Sequence, residues 1–350
     1  MKRGEVEAPA VAELDTRALE AWMDSQALGA GPLEQPEKLA GGTQNILVRF
    51  RRADREYVFR RPPLHLRPAS NTTMRREARV LRALADTPVP HPRLIASCED
   101  ETVLGCAFYL MEPVQGFNPT TGLPEFHAAS PCIRQEMGLQ LIDALIALGN
   151  LDHHALGLNG FGKTENYLER QVDRWRSQLE SYAALPGWDW PTDLPVESVG
   201  EWLTSNRPSA FVPGLMHGDF QLSNVMYDWH SPRLAAIVDW ELATIGDPLL
   251  DLAWLLATWP QESGPAVEDV GVEPWHGFPT SADLVARYES LSPRSLQDLD
   301  WYFVLACYKL GIILEGTHAR ARAGQAERAK GELFHAKAAG LFARAMTHIK

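Results

Sequence analysis

Apolar positions come in short runs between residues 46 and 60, and at helical spacing beyond residue 70. Ile46 to Phe50 has strand character, the polar run Arg51 to Arg55 predicts a hairpin turn, and Tyr57 to Arg60 forms the return strand, stopped by Pro62 and Pro63. Met74, Ala78, Leu81 and Ala85 then share one helical face until Pro88, Pro90 and Pro92 stop it. Upstream, Asp15 is placed to cap an amphipathic helix whose apolar side carries Leu19, Trp22 and Met23. Ala107 to Met111 is a continuous apolar strand, long enough to be buried on both faces. Glu112 to Gly116 breaks the pattern and reads as a linker.

Beyond the linker the period is almost entirely helical. Ser130 caps a helix with Pro131 at its first position, and Ile133, Met137, Leu141, Leu145 and Leu148 line one face of it. The segment from Phe161 to Ser209 is rich in tryptophan and helical at first. An apolar strand, Leu234 to Val238, follows. From Asp251 onward the chain reads as helix, interrupted by a Pro/Gly-rich stretch from Pro260 to Pro279, and the tail Ala319 to Lys350 is helical. Strands with a helix, then helices, is an α+β pattern. It predicts a small antiparallel-sheet lobe over residues 1–112, with an N-terminal helix, and a larger helical lobe over residues 113–350. A length of 350 residues agrees with two domains at about 150 residues each.

Charge and composition narrow the partners. The formal net charge is −12, which repels a phosphate backbone and argues against nucleic acid. Cys98, Cys106, Cys132 and Cys307 form no CxxC pair and fit a reducing cytoplasm. The first residues lead into no signal-type apolar region. No apolar run reaches the ~18 residues of a membrane span. The longest candidates, Leu249 to Trp259 and Phe303 to Leu314, are broken by Asp251 and Lys309. A cytoplasmic protein without membrane insertion is expected.

The candidate chemistry lies in Leu215 to Met226 and Ile237 to Glu241. Asp219 follows His217-Gly218, Asn224 comes five residues later, and Asp239 ends an apolar strand. Phosphoryl transfer needs such oxygens: a carboxylate to take a hydroxyl proton, and an amide and a carboxylate to hold magnesium. Taken alone, Asp219 could be a turn residue bonding its own backbone, Asn224 a left-handed loop residue and Asp239 a helix cap. The joint spacing favours catalysis. A facial iron site built on His217, Asp219 and His276 is the other metal reading; the helical second half is at odds with the strand-rich barrel such oxygenases need. Glu77 lies on the apolar stripe of its helix, where a carboxylate needs a partner, and Arg60 on the neighbouring strand is the natural one; otherwise Glu77 flanks the stripe in solvent. His153, His154, His276, His318 and Lys309 read as surface residues, and the tryptophans at 175, 188, 190 and 202 as packing.

His217 to Asn224, Val238 to Glu241 and Gly246 to Ala253 together resemble the signature of the aminoglycoside phosphotransferase and choline kinase-like superfamily. The step from Asp219 to Asn224 equals that of the protein-kinase catalytic loop. Tyr57 to Pro63, Glu77 to Leu84, Pro88 to Pro90 and Phe108 to Glu112 are similar to the branch associated with acyl-CoA dehydrogenases, and the likeness spans roughly residues 30 to 340. The resemblance implies a protein kinase-like bilobal fold and an enzyme that moves the γ-phosphate of ATP, or GTP, to a hydroxyl of a small molecule with Mg2+. It implies Asp219 as catalytic base, Asn224 and Asp239 as metal ligands and His217 as a brace. It makes Asp251 a tie to the catalytic loop, with an ordinary helix cap as the alternative. Gly41 and Gly42 would cradle phosphate, although such a pair is often just a turn. Arg60 occupies the usual lysine position, with Glu77 as its partner. Met111, Glu112 and Val114 would border the base. The implied acceptor is a hydroxyacyl compound or CoA thioester, with a functional link to an acyl-CoA dehydrogenase. A weak or inactive nucleotide-binding partner of such an enzyme is the alternative, resting on Arg60.

Overall fold

Asp15 starts the first helix in the manner its position predicts: its carboxylate accepts a hydrogen bond from the Ala18 amide at 3.0 Å. The computed structural model describes residues 14–39, 45–260 and 271–349. They fall into two units. One comprises Met1–Gln115, Leu156–Leu158 and Ala235–Glu241; the other comprises Gly116–Ala155, Asn159–Leu234 and Leu242–Lys350.

The first unit runs α1 (Thr16–Ser25), β1 (Glu34–Lys38), β2 (Ile46–Arg52), β3 (Arg55–Arg61), α2 (Ser70–Leu84), β4 (Leu94–Cys98) and β5 (Phe108–Met111). Its strands form one antiparallel sheet in the order β1-β2-β3-β5-β4. Leu19 and Met23 of α1 pack with Val48, Phe50, Tyr57, Phe59, Phe108 and Leu110 of the sheet. The two strands absent from the apolar pattern are the two edges. All five residues of β1 are exposed, so its sequence carries no alternation, and Pro36 is tolerated because an edge strand has an unpaired side. In β4 only Cys98 is fully buried. The inner strand β5, between β3 and β4, is buried at all four positions, as a run of four apolar residues requires.

The second unit is helical: α3 (Glu125–Ala129), α4 (Pro131–Gly149), α5 (Glu169–Ser181), α6 (Val196–Ser205), α7 (Leu249–Thr258), α8 (Ser281–Leu291), α9 (Leu299–Arg322) and α10 (Arg328–His348). Ser130 caps α4 through the Ile133 amide. The centre of the unit is α9, which packs against α5, α6, α7 and α10. Every residue of α7 is buried, so that helix shows no polar face at all. At Gly311 an added Cβ would stand 2.7 Å from the Phe342 ring, so the small residue lets α9 and α10 close on each other. Among the described residues no helix is long and apolar enough to cross a membrane.

Candidate active site

In the helical unit a short antiparallel strand pair, Gly214–Met216 with Thr244–Gly246, delivers the chain to His217. Gly218 follows at φ +87°, and a Cβ there would lie 2.5 Å from the Leu242 carbonyl oxygen, so both conformation and space demand glycine. Asp251, in the first turn of α7, is 1% exposed and accepts from the His217 amide at 2.6 Å and the Gly218 amide at 2.9 Å. Burial raises its carboxyl above the usual range, while His217 and the two amides pull it down. The loop is thereby fixed from behind by the helix that follows it in sequence.

Asp219 is held by three donors. Its Oδ1 accepts from Gln221 Nε2 at 2.8 Å and from Trp254 Nε1 at 2.9 Å. Its Oδ2 accepts from Asn224 Nδ2 at 2.8 Å, and the same amide nitrogen donates to the Asp219 carbonyl at 2.9 Å. None of these donors is charged, so the carboxylate is oriented without being neutralised by an ion pair. Because the Asn224 nitrogen is committed to Asp219, its amide oxygen is left to act as a hard donor.

Lys309 departs from its expected place on the surface. It is half-buried on α9, donates to the Gly218 carbonyl at 3.2 Å and lies 4.2 Å from the Trp254 ring centroid and 5.5 Å from that of Trp175. Burial pushes its ammonium down to about 8, against the pull of Asp219 and Asp251. The folded value lies below the 10.5 of free lysine, so the fold carries a penalty below pH 8 that is relieved as pH rises from about 8 to 10.5. At ~1.4 kcal/mol per unit the relief amounts to about 3 kcal/mol. In urea unfolding across that range, the stability of the wild-type chain relative to Lys309→Met should rise by this amount, the buried tyrosines titrating alike in both; parallel curves for the two proteins would refute it.

The sheet unit gathers a second cluster. Arg60 on β3 is 6% exposed, and its Nε lies 2.9 Å from Oε2 of Glu77, a fully buried residue on α2. Tyr109 on β5 donates to the same oxygen at 2.8 Å. Arg60 Nη2 also donates to Asp239 Oδ1 at 2.6 Å. Burial pushes the Glu77 carboxyl up to about 7, while Arg60 and Tyr109 hold it down. Burial works against the Arg60 charge as well, yet Tyr109, Glu77 and Asp239 together hold the guanidinium protonated. Asp239 has φ +67° and directly precedes a short 3-10 turn, Trp240–Leu242. The pairing of Glu77 with Arg60 is therefore present, joined by a tyrosine that the strand pattern gave no reason to single out.

At the end of β5, Met111 is buried, and the Glu112 amide donates to the Arg93 carbonyl at 2.9 Å, which leaves the Glu112 carbonyl as its backbone group for a ligand. The backbone of Val114 makes no hydrogen bond among the described residues. Gly41 and Gly42 lie outside the described residues. Of the five residues first placed at the surface, His154 and His276 are exposed, His153 and His318 are half-buried, and Lys309 meets the loop at Gly218. Sequence reading also passed over Gln221 and Trp254, which have no signal apart from their contact with Asp219.

A profile of the phosphotransferase enzyme family matches residues 36–285. Acyl-CoA dehydrogenase family member 11 of Pongo abelii is 31% identical over 320 residues, covering 88% of this chain and 40% of that protein. Family member 10 of Mus musculus is 30% identical, covering 86% of this chain and 28% of that protein. The chain thus spans well under half the length of these relatives. A solved structure from Ralstonia eutropha, assigned as an aminoglycoside phosphotransferase, superposes with a TM-score of 0.80 at 30% identity, covering 96% of this chain and 98% of that one. The GDP complex of aminoglycoside 2'-phosphotransferase-IIIa shares the fold at a TM-score of 0.61 and 17% identity, covering 93% and 99% of the two chains.

Proposed function

Because the chain belongs to the phosphotransferase enzyme family, we propose that it is a magnesium-dependent kinase that moves the γ-phosphate of ATP or GTP to an alcohol group of a small molecule. The observation that carries this reading is the triple clamp on Asp219, which presents a carboxylate in one orientation at the end of a braced loop. Asp219 takes the proton of the acceptor hydroxyl as that oxygen bonds to the γ-phosphorus and the bond to the β-phosphate oxygen breaks, releasing the nucleoside diphosphate. His217 and Asp251 position the loop and do not touch the reacting atoms. Met111, Glu112 and Val114 would border the base, and Gly41 and Gly42 the phosphates.

Each donor by itself suits magnesium: the Asn224 amide oxygen is left over by the hydrogen bonds of its nitrogen, and Asp239 keeps its Oδ2 while Oδ1 accepts from Arg60. When bound, the ion would offset the charge of the transferring phosphate oxygens. Arg60 supplies the positive charge at the usual lysine position, and its fork geometry allows it to serve Glu77 and Asp239 together.

The relatives' names point to an acyl-CoA context, so the proposed acceptor is a hydroxyacyl compound, as the free acid or the CoA thioester, in functional association with an acyl-CoA dehydrogenase. A second reading has its own observation. Arg60 is pinned between Glu77 and Asp239, and a guanidinium committed to two carboxylates grips phosphate less readily, which favours a nucleotide-binding partner with little turnover. An assay of nucleoside diphosphate release across hydroxyacyl-CoA thioesters, hydroxy acids and aminoglycosides separates these. Turnover with hydroxyacyl compounds is expected. Turnover of aminoglycosides alone would overturn the acyl acceptor, and tight nucleotide binding without turnover of any alcohol would establish the second reading.

A further inference from the structure

At the crossing of α9 and α10, three side chains surround one point. Glu315 and His318 are three apart on α9 and so share a face; His335 comes from α10. One potential ligand atom from each lies within 4.8 Å of the others. Glu315 is 1% exposed, while the two histidines are half-buried and leave the group reachable from one side.

The protons can be assigned from the partners. His318 Nδ1 lies 3.2 Å from the Gly331 carbonyl, which can only accept, so Nδ1 carries the hydrogen and Nε2 keeps its lone pair. His335 Nε2 lies 2.9 Å from Asp193 Oδ2, again an acceptor, so this nitrogen carries the ring hydrogen. His335 Nδ1 is then left with its lone pair 2.6 Å from Glu315 Oε1. Two acceptors at that separation need a shared proton or a metal ion between them. The other carboxylate oxygen decides in favour of the metal. Glu315 Oε2 is buried and has no hydrogen-bond partner among the described residues. A proton on His335 would leave that oxygen bare, whereas a cation at the centre satisfies it and both imidazole lone pairs.

We infer that Glu315, His318 and His335 bind a transition-metal dication, zinc by its ligand preference. Two imidazoles and a carboxylate are a recurrent zinc set, with water in the fourth position. Each histidine has the outer partner that metal-bound imidazoles usually have: the Asp193 carboxylate for His335 and the Gly331 carbonyl for His318. Tetrahedral ligands at roughly 2.0–2.2 Å from zinc stand about 3.3–3.6 Å apart, so Oε1 would draw back from His335 and Oε2, the unpartnered oxygen, would serve as the ligand. The ion would pin α10 and the segment bearing Asp193 to α9. This inference does not depend on phosphoryl transfer.

The test uses the untagged full chain, stripped with chelator and titrated with Zn2+ by calorimetry and with Co2+ by visible absorption. The wild-type chain should bind one more zinc ion than His318→Ala, show intense tetrahedral cobalt bands without the thiolate charge-transfer band that Cys132 would give, and melt at a higher temperature with zinc. Asp193→Ala should weaken zinc binding by about 10–100-fold. Equal stoichiometry in wild type and His318→Ala would overturn the inference and leave a protonated His335 clasped by two carboxylates. If His318→Ala does not fold, the wild-type cobalt spectrum decides, and absence of tetrahedral bands would sink the proposal.

Discussion

Replacing Asp219 with asparagine is expected to lower kcat by about 10²–10⁴-fold, the usual worth of a positioned general base. The reason lies in what the substitution preserves. An asparagine oxygen can still accept from Trp254 and Gln221, and the loop is held independently by Asp251 through the His217 and Gly218 amides. The change therefore removes the proton acceptor and one bond of the clamp, since the new amide nitrogen cannot accept from Asn224 Nδ2, which keeps the backbone carbonyl of residue 219. Steady-state release of the nucleoside diphosphate would measure it, with nucleotide affinity and the melting temperature as controls. A loss of less than about tenfold with an unchanged melt would mean that Asp219 orients the acceptor without taking its proton. An equal fall in melting temperature and rate would point to the clamp as a structural device.

The second large effect is on stability. Glu77→Ala should destabilise the chain by about 3–5 kcal/mol, because it strands the Arg60 guanidinium in the interior with only Asp239, itself partly exposed, as a partner. It also removes the acceptor for the buried Tyr109 hydroxyl. Urea unfolding monitored by circular dichroism is the measurement. Glu77→Gln is the informative companion, since it keeps an acceptor for Tyr109 while deleting the charge. If the alanine variant lost under about 1 kcal/mol, Arg60 would be solvated more easily than its burial implies and the buried pair would not be holding the sheet unit together.

Much of this was legible in the sequence for physical reasons that differ by element. Central strands and buried helices announce themselves, because burial on one or both faces imposes an apolar period; β2, β3, β5, α2 and α4 were all read in this way. Edge strands do not, because one side faces water and any polar residue will serve, and the apolar pattern assigned no residues to β1 or β4 accordingly. The site residues followed a different rule. Lys309 first drew notice only as a charge interrupting an apolar run, a reason to reject a membrane span, whereas the resemblance already implied Asp251 as a tie to the loop. Both turn out to contact the loop, Asp251 through two amides and Lys309 through the Gly218 carbonyl. A charge inside an apolar helix needs a partner, and the partner is often what the helix was built to hold. That argument was applied to Glu77 and found its arginine. Applied to Lys309, it would have moved that residue from the surface to the site. Trp254, Gln221 and Tyr109 were beyond such reasoning, since a neutral hydrogen bond leaves no trace in spacing or charge.

The left-handed backbone at Asp239 restricts which residues can stand there. At φ +67°, a side chain with a bulky or branched Cβ is disfavoured before any chemistry is considered, and aspartate, asparagine and glycine are the residues that tolerate the conformation. The alphabet open to this position is thus nearly the alphabet of oxygen donors. A chain that drifted away from catalysis would find asparagine or glycine here more easily than alanine or valine. A change at Asp239 can therefore separate the proposed metal binding from folding: glycine there would keep the backbone shape while removing the oxygen donor.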